Sequence, residues 1–469
     1  MIEIEKIQKM MKSEYGFRLD STYILNYNMY KSIIYCLKQS GIDVIKISEY
    51  AKRSKEKAYG KTATILIKSL WKTSIHPLKI ELRMHGNRLR CYELDIVGVA
   101  TGLGSIGKIS IVPRYFIEII KEPIATTTDL FVLRPRENNK EIAYYIVALL
   151  NTNIGSIITN MLTYGSTGQL HLDIKWLENI EIPLIDFKIN VIEKMKKAIE
   201  NYEAKAWQAY FKVMKIIEKY LGTFRIRLTN ISTFREFTQY GRLDSKFYIY
   251  LNALRNIQSV KIISAKELFD IKLGTAPRSR KYKLIRKGEP YISYDSIDDT
   301  GLIDENLFYR IPILSKTKAR ARKYGILITS VAHSIEGIGK VGIVFPYDNI
   351  LCMTGLAILN PSKQKMSELS RKIEYLKEKT LEEIMLYTFL VLKSRPMKKV
   401  IQSLTYGLTA QISKKDLENL PIPIIKDLLD SEAITLIREF LELMIKADQL
   451  KKQVIISLEN ELLKIINQN

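Results

Sequence analysis

"LTYGSTGQ", residues 162–169, is written a second time as "LTYGLTAQ", residues 404–411, at an offset of 242 (404 − 162). Shortly after it, "LENIEIPLI" (177–185) returns as "LENLPIPII" (417–425), at an offset of 240 (417 − 177). Upstream, "YGFRLDSTY" (15–23) matches "YGRLDSKFY" (240–248). Between these blocks, "VATGLGSIGKISIV" (99–112) matches "VAHSIEGIGKVGIV" (331–344), at an offset of 232 (331 − 99). Self-similarity of this kind is the sequence signature of repeated architecture. Four blocks in one order with drifting offsets mean a duplicated domain with loop insertions, not a short-period solenoid. A chain of 469 residues is long enough for two or three domains with separate cores.

Each copy closes with a proline-free stretch of helical periodicity. After Pro183, residues Ile192, Met195, Ile199, Tyr202, Ala206, Ala209, Val213, Ile216 and Tyr220 alternate three and four apart, and Gly222 supplies a stop. In the second copy Ala433, Leu436, Phe440, Leu443, Ala447, Leu450 and Val454 keep the same spacing. Sustained 3-4 alternation predicts a coiled-coil seam. About 35 residues at ~1.5 Å each make a rod of roughly 50 Å, against an average helix of about 11–12 residues. The two seams are buried most economically against each other, antiparallel if a pseudo-two-fold axis relates the copies. Inside each copy the short apolar runs "KISIV", "LFVL", "GILITSV" and "KVGIVF" read as strands. The segment "SKQKMSELSRKIEYLKEKTLEE" (362–383) is charged, helical and without a counterpart in the first copy. The expected fold class is α+β: two duplicated mixed α/β domains, each followed by a long helix, the two helices packing as an antiparallel coiled coil. The boundaries fall at 1–185, 186–223, 224–426 and 427–469.

The stretch "GLGSIGK" (102–108) satisfies G-x-G-x-x-G and most of G-x-x-x-x-G-K-[ST], two patterns with a high false-positive rate. The repeat decides between cofactor cradle and turn. Gly102 and Gly104 align with Ser334 and Glu336, while "IGK" persists at 338–340. A dinucleotide site needs a helix after its glycines to aim an N-terminus at the phosphates. "ISIV" and "VGIV" come next instead, and Ile109 stands where a magnesium-holding hydroxyl belongs. The stretch is expected to be a strand-connecting glycine turn.

The formal charge is +23, from 73 Lys and Arg against 50 Asp and Glu, which attracts polyanions, nucleic acid first among them. The charge is clustered. Residues 52–90 hold eleven Lys and Arg against Glu56 and Glu81, 272–287 hold seven and no acid, and 316–323 hold five and none. Three scattered cysteines and four scattered histidines form neither a disulfide framework nor a zinc site. Asp295, Asp298 and Asp299 lack metal-ligand spacing and read as a solvated loop. No run approaches the ~18 apolar residues needed to span a bilayer, and "MIEIEKIQKMMKSEYG" is no secretory leader, so no membrane partner and a cytoplasmic location are expected. No G-x-S-x-G, H-E-x-x-H or Asn/Asp-Pro-Pro-aromatic tetrapeptide occurs. The sequence does not read as an enzyme.

Two α/β domains with trailing helices, carrying "RLDS", "GxxG(K)" and "YGxTxQ…LxxIxIP", resemble the DNA-specificity (S) subunit of type I restriction-modification systems. The likeness covers nearly the whole chain. "RLDSKFY" followed by "LFDIKLGTAPRSRKY" is similar to the family's opening of a target-recognition domain. The first copy departs there, since "ISEYAKRSKEKAYGKT" (47–62) lacks the Gly-Thr-x-Pro turn. The resemblance implies that each domain grips one half of a bipartite double-stranded DNA target. It implies that the helices set the gap between the halves and dock two modification (methyltransferase) subunits. S-adenosylmethionine would then belong to those partners, ATP and Mg to a restriction (motor-nuclease) subunit, and no cofactor, metal or catalytic residue to this chain.

Arg offers two donors to a guanine edge, whereas Lys more often meets phosphate. The candidate DNA contacts are therefore Arg278, Arg280, Lys281, Tyr282, Lys283, Lys318, Arg320 and Arg322 in the second domain. In the first they are Lys52, Arg53, Lys55, Lys57, Lys61, Arg88 and Arg90, with Lys108 and Lys340 in the two glycine turns. Tyr164/Gln169 and Tyr406/Gln411, common to both copies, are assigned to structure. Two other classes stay open on the residues alone. One is an autonomous nucleotide- or S-adenosylmethionine-binding enzyme using Gly102–Lys108, which direct titration would reveal. The other is a basic scaffold for RNA, separable by its salt-dependent competition with duplex DNA.

Overall fold

The computed structural model describes residues 21–71, 73–102, 105–165, 170–186, 188–222, 245–255, 260–275, 288–311, 319–407 and 410–468. The chain forms two compact units, one of Met1–Lys205 with Leu443–Asn469, the other of Ala206–Glu442. Helices and several small sheets mix in both.

In the first unit, the strand Leu130–Pro135 lies between Ala51–Arg53 and Ile96–Val99, and Ile96–Val99 pairs on its far side with Ile109–Ile111, all antiparallel. The "LFVL" run is buried throughout, Leu130 to Leu133 being at most 3% exposed, as expected of a strand covered on both faces. In the second unit, Leu356–Pro361 lies between Phe269–Leu273 and Ile326–Thr329, and Ile326–Thr329 pairs with Val341–Ile343, again antiparallel. The order of connections is the same. The recurring "IEIPLI" and "PIPII" segments also have matching roles. Glu181–Leu184 pairs with Asp43–Lys46, and Pro421–Ile425 with Val260–Ser264, so each ties the end of its copy back to the beginning.

Under each of these strands lies a helix that is apolar all round, which marks a core helix. Ile142–Leu150 is buried along its whole length, and Leu381–Lys393 from Ile384 to Leu392. Tyr145 and Tyr387, 242 positions apart (387 − 145), resolve the problem of a hydroxyl in this apolar setting in one way. Each donates to a proline carbonyl of the tying strand, Pro183 at 2.7 Å and Pro423 at 2.9 Å. Tyr387 also accepts the Ile425 N–H at 2.8 Å. Among the described residues no single helix is long and apolar enough to cross a membrane; the apolar pair Ile142–Leu150 and Asn153–Met161 is bent by 80°.

The long helices form where the periodicity places them, in a shifted register. The first runs as Lys188–Lys196, a π-helical stretch Lys197–Glu203, and Ala204–Leu221; the second is Ala433–Asn467. Phe440, Ala447 and Val454 are buried as expected, but Leu436, Leu443 and Leu450 are half-exposed, and Ile437, Met444 and Lys451 take the buried positions. In the first helix Met195, Ile199, Ala206, Ala209 and Val213 are buried. Ile192, Tyr202, Ile216 and Tyr220 yield to Val191, Glu203, Trp207, Tyr210, Ile217 and Leu221. Two of the buried positions hold a charged pair. Lys451 and Glu203 are buried together and ion-paired, and a hydrophobicity pattern counts both as surface residues. The π-helical turn, which adds a residue to the local repeat, ends at Glu203. Its carboxylate also accepts from Ser74 Oγ and Tyr115 Oη, each at 3.2 Å. In the second unit, Trp207 and Tyr210 pack on Phe440 with ring centroids 5.8 and 4.9 Å apart.

Candidate nucleic-acid interface

The glycine stretch is a hairpin turn in both units. Ile96–Val99 and Ile109–Ile111 pair across Gly102–Lys108, and Ile326–Thr329 and Val341–Ile343 pair across the second copy. A strand, not a helix, comes after each lysine, so no helix N-terminus faces either turn. Leu103 and Gly104 lie outside the described residues. The pairing also refines the alignment. Gly98 faces Ile109 as Ile328 faces Val341, so the leading strands match at an offset of 230 (328 − 98), against 232 (341 − 109) on the lysine side. The second turn is longer by two residues, and the shared "VA" letters at 99–100 and 331–332 are not equivalent positions.

Gly107 and Gly339 are equivalent, and both need to be glycine. Each has positive φ, +88° and +79°, and a Cβ would stand 3.1 Å from Thr159 Oγ1 or 3.3 Å from Ile401 Cγ2. The turns thereby seat on the helices Asn153–Met161 and Arg395–Ser403. Against their other side lies the first block of the repeat. Leu172 N donates to Ala100 O at 2.8 Å, and Ile412 N to Ser330 O at 2.9 Å. Thr101 bridges His171, and Val331 pairs with Gln411. Tyr406 and Gln411 exchange backbone hydrogen bonds, while Gln169 lies outside the described residues. Tyr164 and Tyr406 nonetheless remain 43% and 50% exposed, beside the lysine turns. Lys108 is exposed and Lys340 half-buried. At the second turn Glu336 adds a negative charge, its carboxyl held below the usual range by its own backbone N–H and the Ser334 hydroxyl.

In the first unit the nominated basic residues fall on strands of two separate sheets and the connection between them. Lys52 and Arg53 lie on the edge strand Ala51–Arg53, Lys55 in the connection, Lys57 and Lys61 on Lys57–Ile65, and Arg88 and Arg90 on Glu81–Cys91. The last two strands form a long antiparallel ribbon, with a bulge between Ala58 and Gly60. Successive strand residues alternate faces, so Lys57, Tyr59 and Lys61 share one face, and Met84 stands opposite Lys61. Tyr59, Leu82 and Met84 are 68%, 60% and 76% exposed, which makes the ribbon both basic and apolar. Sequence reasoning chose the lysines and missed these three; the signal was the aromatic interleaved with lysines in "KAYGK" (57–61).

Ion pairing separates the cations. Lys61 sits 2.9 Å from Glu122 and Arg90 3.9 Å from Glu56, whereas Lys52, Lys55 and Lys57 have no acidic partner among the described residues. Glu56 is held below the usual carboxylate range by hydrogen bonds from Tyr92 and Arg134, so it stays charged and offsets Arg90.

The second unit places its candidates differently. Arg278, Arg280, Lys281, Tyr282, Lys283 and Lys318 lie outside the described residues. The described start of their turn is anchored: Gly274 N donates to Leu356 O at 2.8 Å, and a Cβ on Gly274 would strike Met353 O. Arg320 points inward, paired with Glu289 and donating to Asn349 O at 2.9 Å, while Arg322 is exposed. Asp298, expected in a solvated loop, is buried instead. Its Oδ1 accepts from Thr300 N at 2.8 Å and Leu302 N at 2.9 Å, closing a turn. Among the described residues no His, Cys, Asp and Glu side chains group to hold a metal ion.

No protein-family model matches this chain, and no curated protein matches it. Among solved structures it is similar to the type I restriction-modification system S subunit from M. genitalium, at 15% identity and a TM-score of 0.36, over 91% of this chain and 96% of that one. It is also similar to a chain from a structure of complex assembly and conformational transition of the type I R-M system, at 14% identity and a TM-score of 0.28, over 88% and 96%. A third similarity is to the HsdS subunit from Thermoanaerobacter tengcongensis, at 15% identity and a TM-score of 0.28, over 91% and 96%.

Proposed function

We propose that this chain is the DNA-reading subunit of a type I restriction-modification complex, working in the cytoplasm. Each duplicated domain grips one half of a split duplex target. The two long helices pair as an antiparallel coiled coil that fixes the unread gap and docks two modification subunits. Those partners bring S-adenosylmethionine and the methyl-transfer site, a motor-nuclease subunit brings ATP-dependent cleavage, and this chain performs no catalysis.

The observation that carries the reading is the repeated module. In both units the same strand order presents a lysine-bearing glycine turn beside an exposed tyrosine. Two equivalent grips on one duplex give half-site spacing that mirrors the protein's symmetry. The strands Lys57–Ile65 and Glu81–Cys91 close a small barrel with Ile124–Thr126, and at their other end, Lys57–Lys61 against Met84–Leu89, they pair only with each other, as in the two-stranded ribbons that the major groove admits. For the helices, support comes within each unit: Glu203 meets Lys451 in the first, and Trp207 and Tyr210 meet Phe440 in the second.

The test is methylation. The chain purified with its modification subunit is expected to methylate adenines at a single split sequence in duplex DNA. Methylation without sequence preference, or methyl transfer or ATP hydrolysis by the lone chain, overturns the reading.

A further inference from the structure

Met84 and Tyr59 are the two most exposed large hydrophobic side chains among the described residues, at 76% and 68%. Both stand on the ribbon of Lys57–Ile65 and Glu81–Cys91, and Leu82, at 60%, lies two positions from Met84 on the same face. Directly opposed residues share a face too, so Lys61 stands beside Met84 and Lys57 beside Leu89. One exposed apolar side chain needs no explanation, but three on one ribbon face mark a contact surface. The ribbon falls outside the four repeated blocks, between those at 15–23 and 99–112. The halves of a split target differ in sequence, so groups that read bases belong where the two copies differ.

The charge around these side chains names the partner. The two strands carry Lys57, Lys61, Arg83, Arg88 and Arg90 against Glu81 alone. With Glu122 paired to Lys61 and Glu56 near Arg90, five cations face three carboxylates and the ribbon stays positive. Residues 1–20, outside the described ones, hold four basic and four acidic side chains and leave that sum unchanged. Surfaces that meet protein are depleted in lysine, whereas those that meet DNA are strongly positive. On the base edges of the major groove, donors and acceptors are joined by one methyl, at thymine C5. A basic ribbon in that groove offers its apolar side chains no other methyl to cover.

Resting on the duplex reading above, we infer that Tyr59, Leu82 and Met84 recognise thymine in the first unit's half-site by burying its C5-methyl. Lys57, exposed on the same face, meets the adjacent phosphate.

Deoxyuridine in place of thymine removes that methyl and keeps every donor and acceptor. The half-site is the one that selection by the chain with its modification subunit assigns to the first domain. Each of its thymines is replaced singly, and affinity is read by fluorescence anisotropy. At one or more positions the loss is expected to be about fourfold, the equivalent of one buried methylene. Leu82→Asn combined with Met84→Gln, changes of similar size at exposed positions, is expected to bind the thymine and deoxyuridine duplexes equally. Lys57→Ala is expected to weaken both by one factor and keep the discrimination. A first half-site without a sensitive thymine overturns the inference and leaves the duplex reading standing, as does discrimination that survives the double variant. Loss of the modification subunit from the double variant, with discrimination intact, assigns the face to a protein instead. Failure to select any duplex overturns the duplex reading itself, and the inference with it.

Discussion

Lys451 sets its ammonium against the carboxylate of Glu203, with both side chains shut away from solvent at 2% and 0% exposure. The Trp71 ring lies 5.3 Å from the same ammonium. Removing one partner of such a pair leaves a buried charge without compensation, at a cost of about 3–5 kcal/mol. Glu203→Ala and Lys451→Ala are each expected to lower stability by that amount, read from the guanidinium denaturation midpoint. Glu203→Leu combined with Lys451→Met is expected to cost far less than the two single losses added together.

The same pair predicts a pH dependence with a definite sign. Burial lowers the affinity of Lys451 for its proton, but the charges of Glu203 and Asp448 raise it by more, so its folded pKa stands above the ordinary value. A lysine raised on folding stabilises fully below its unfolded pKa of about 10.4 and loses that contribution as pH rises through the folded value. Between pH 9 and pH 11 the thermal midpoint of the wild-type chain is therefore expected to fall further than that of Lys451→Met.

Tyr145 and Tyr387 make the same bond to equivalent proline carbonyls, and each also meets the backbone N–H two residues further on, Ile185 or Ile425. Tyr145→Phe and Tyr387→Phe each leave a buried carbonyl and a buried N–H without that partner and are each expected to cost about 1–3 kcal/mol. Urea melts of the two variants are expected to show similar losses, and a loss confined to one of them would contradict the equivalence.

The strands of this mixed fold were legible in the letters, because a short β-branched run is read without knowing what it packs against: they appear at "ISI" (109–111), "LFVLRP" (130–135), "ILIT" (326–329) and "VGI" (341–343). The β-branched run after each lysine settled the glycine turn, since a strand there leaves no helix to face a phosphate. Three features were not legible. The helix seam differs from the expected one at part of its positions, and Lys451 and Glu203 were missed because buried, ion-paired charges read as surface residues. The "VA" match was a coincidence that only strand pairing exposes. Basic residues could be counted but not sorted: Arg320 braces its own sheet while Lys57 faces solvent, and no spacing rule separates the two.

That sorting has a salt-dependent consequence on the proposed reading. Each phosphate neutralised contributes about 0.9 to the slope of log affinity against log salt. Replacing Lys52, Lys55 and Lys57 together by Ala is expected to reduce the slope on duplex DNA by roughly two to three. Arg320→Ala is expected to leave the slope alone and destabilise the second unit. Fluorescence anisotropy from about 50 to 200 mM salt measures both.

Selection from a pool of randomised duplexes by the chain in complex with its modification subunit tests the account most directly. The prediction is two enriched blocks separated by a gap of constant length and indifferent sequence, with either block lost when its own domain is exchanged. A single unbroken block, or no enrichment at all, would contradict it.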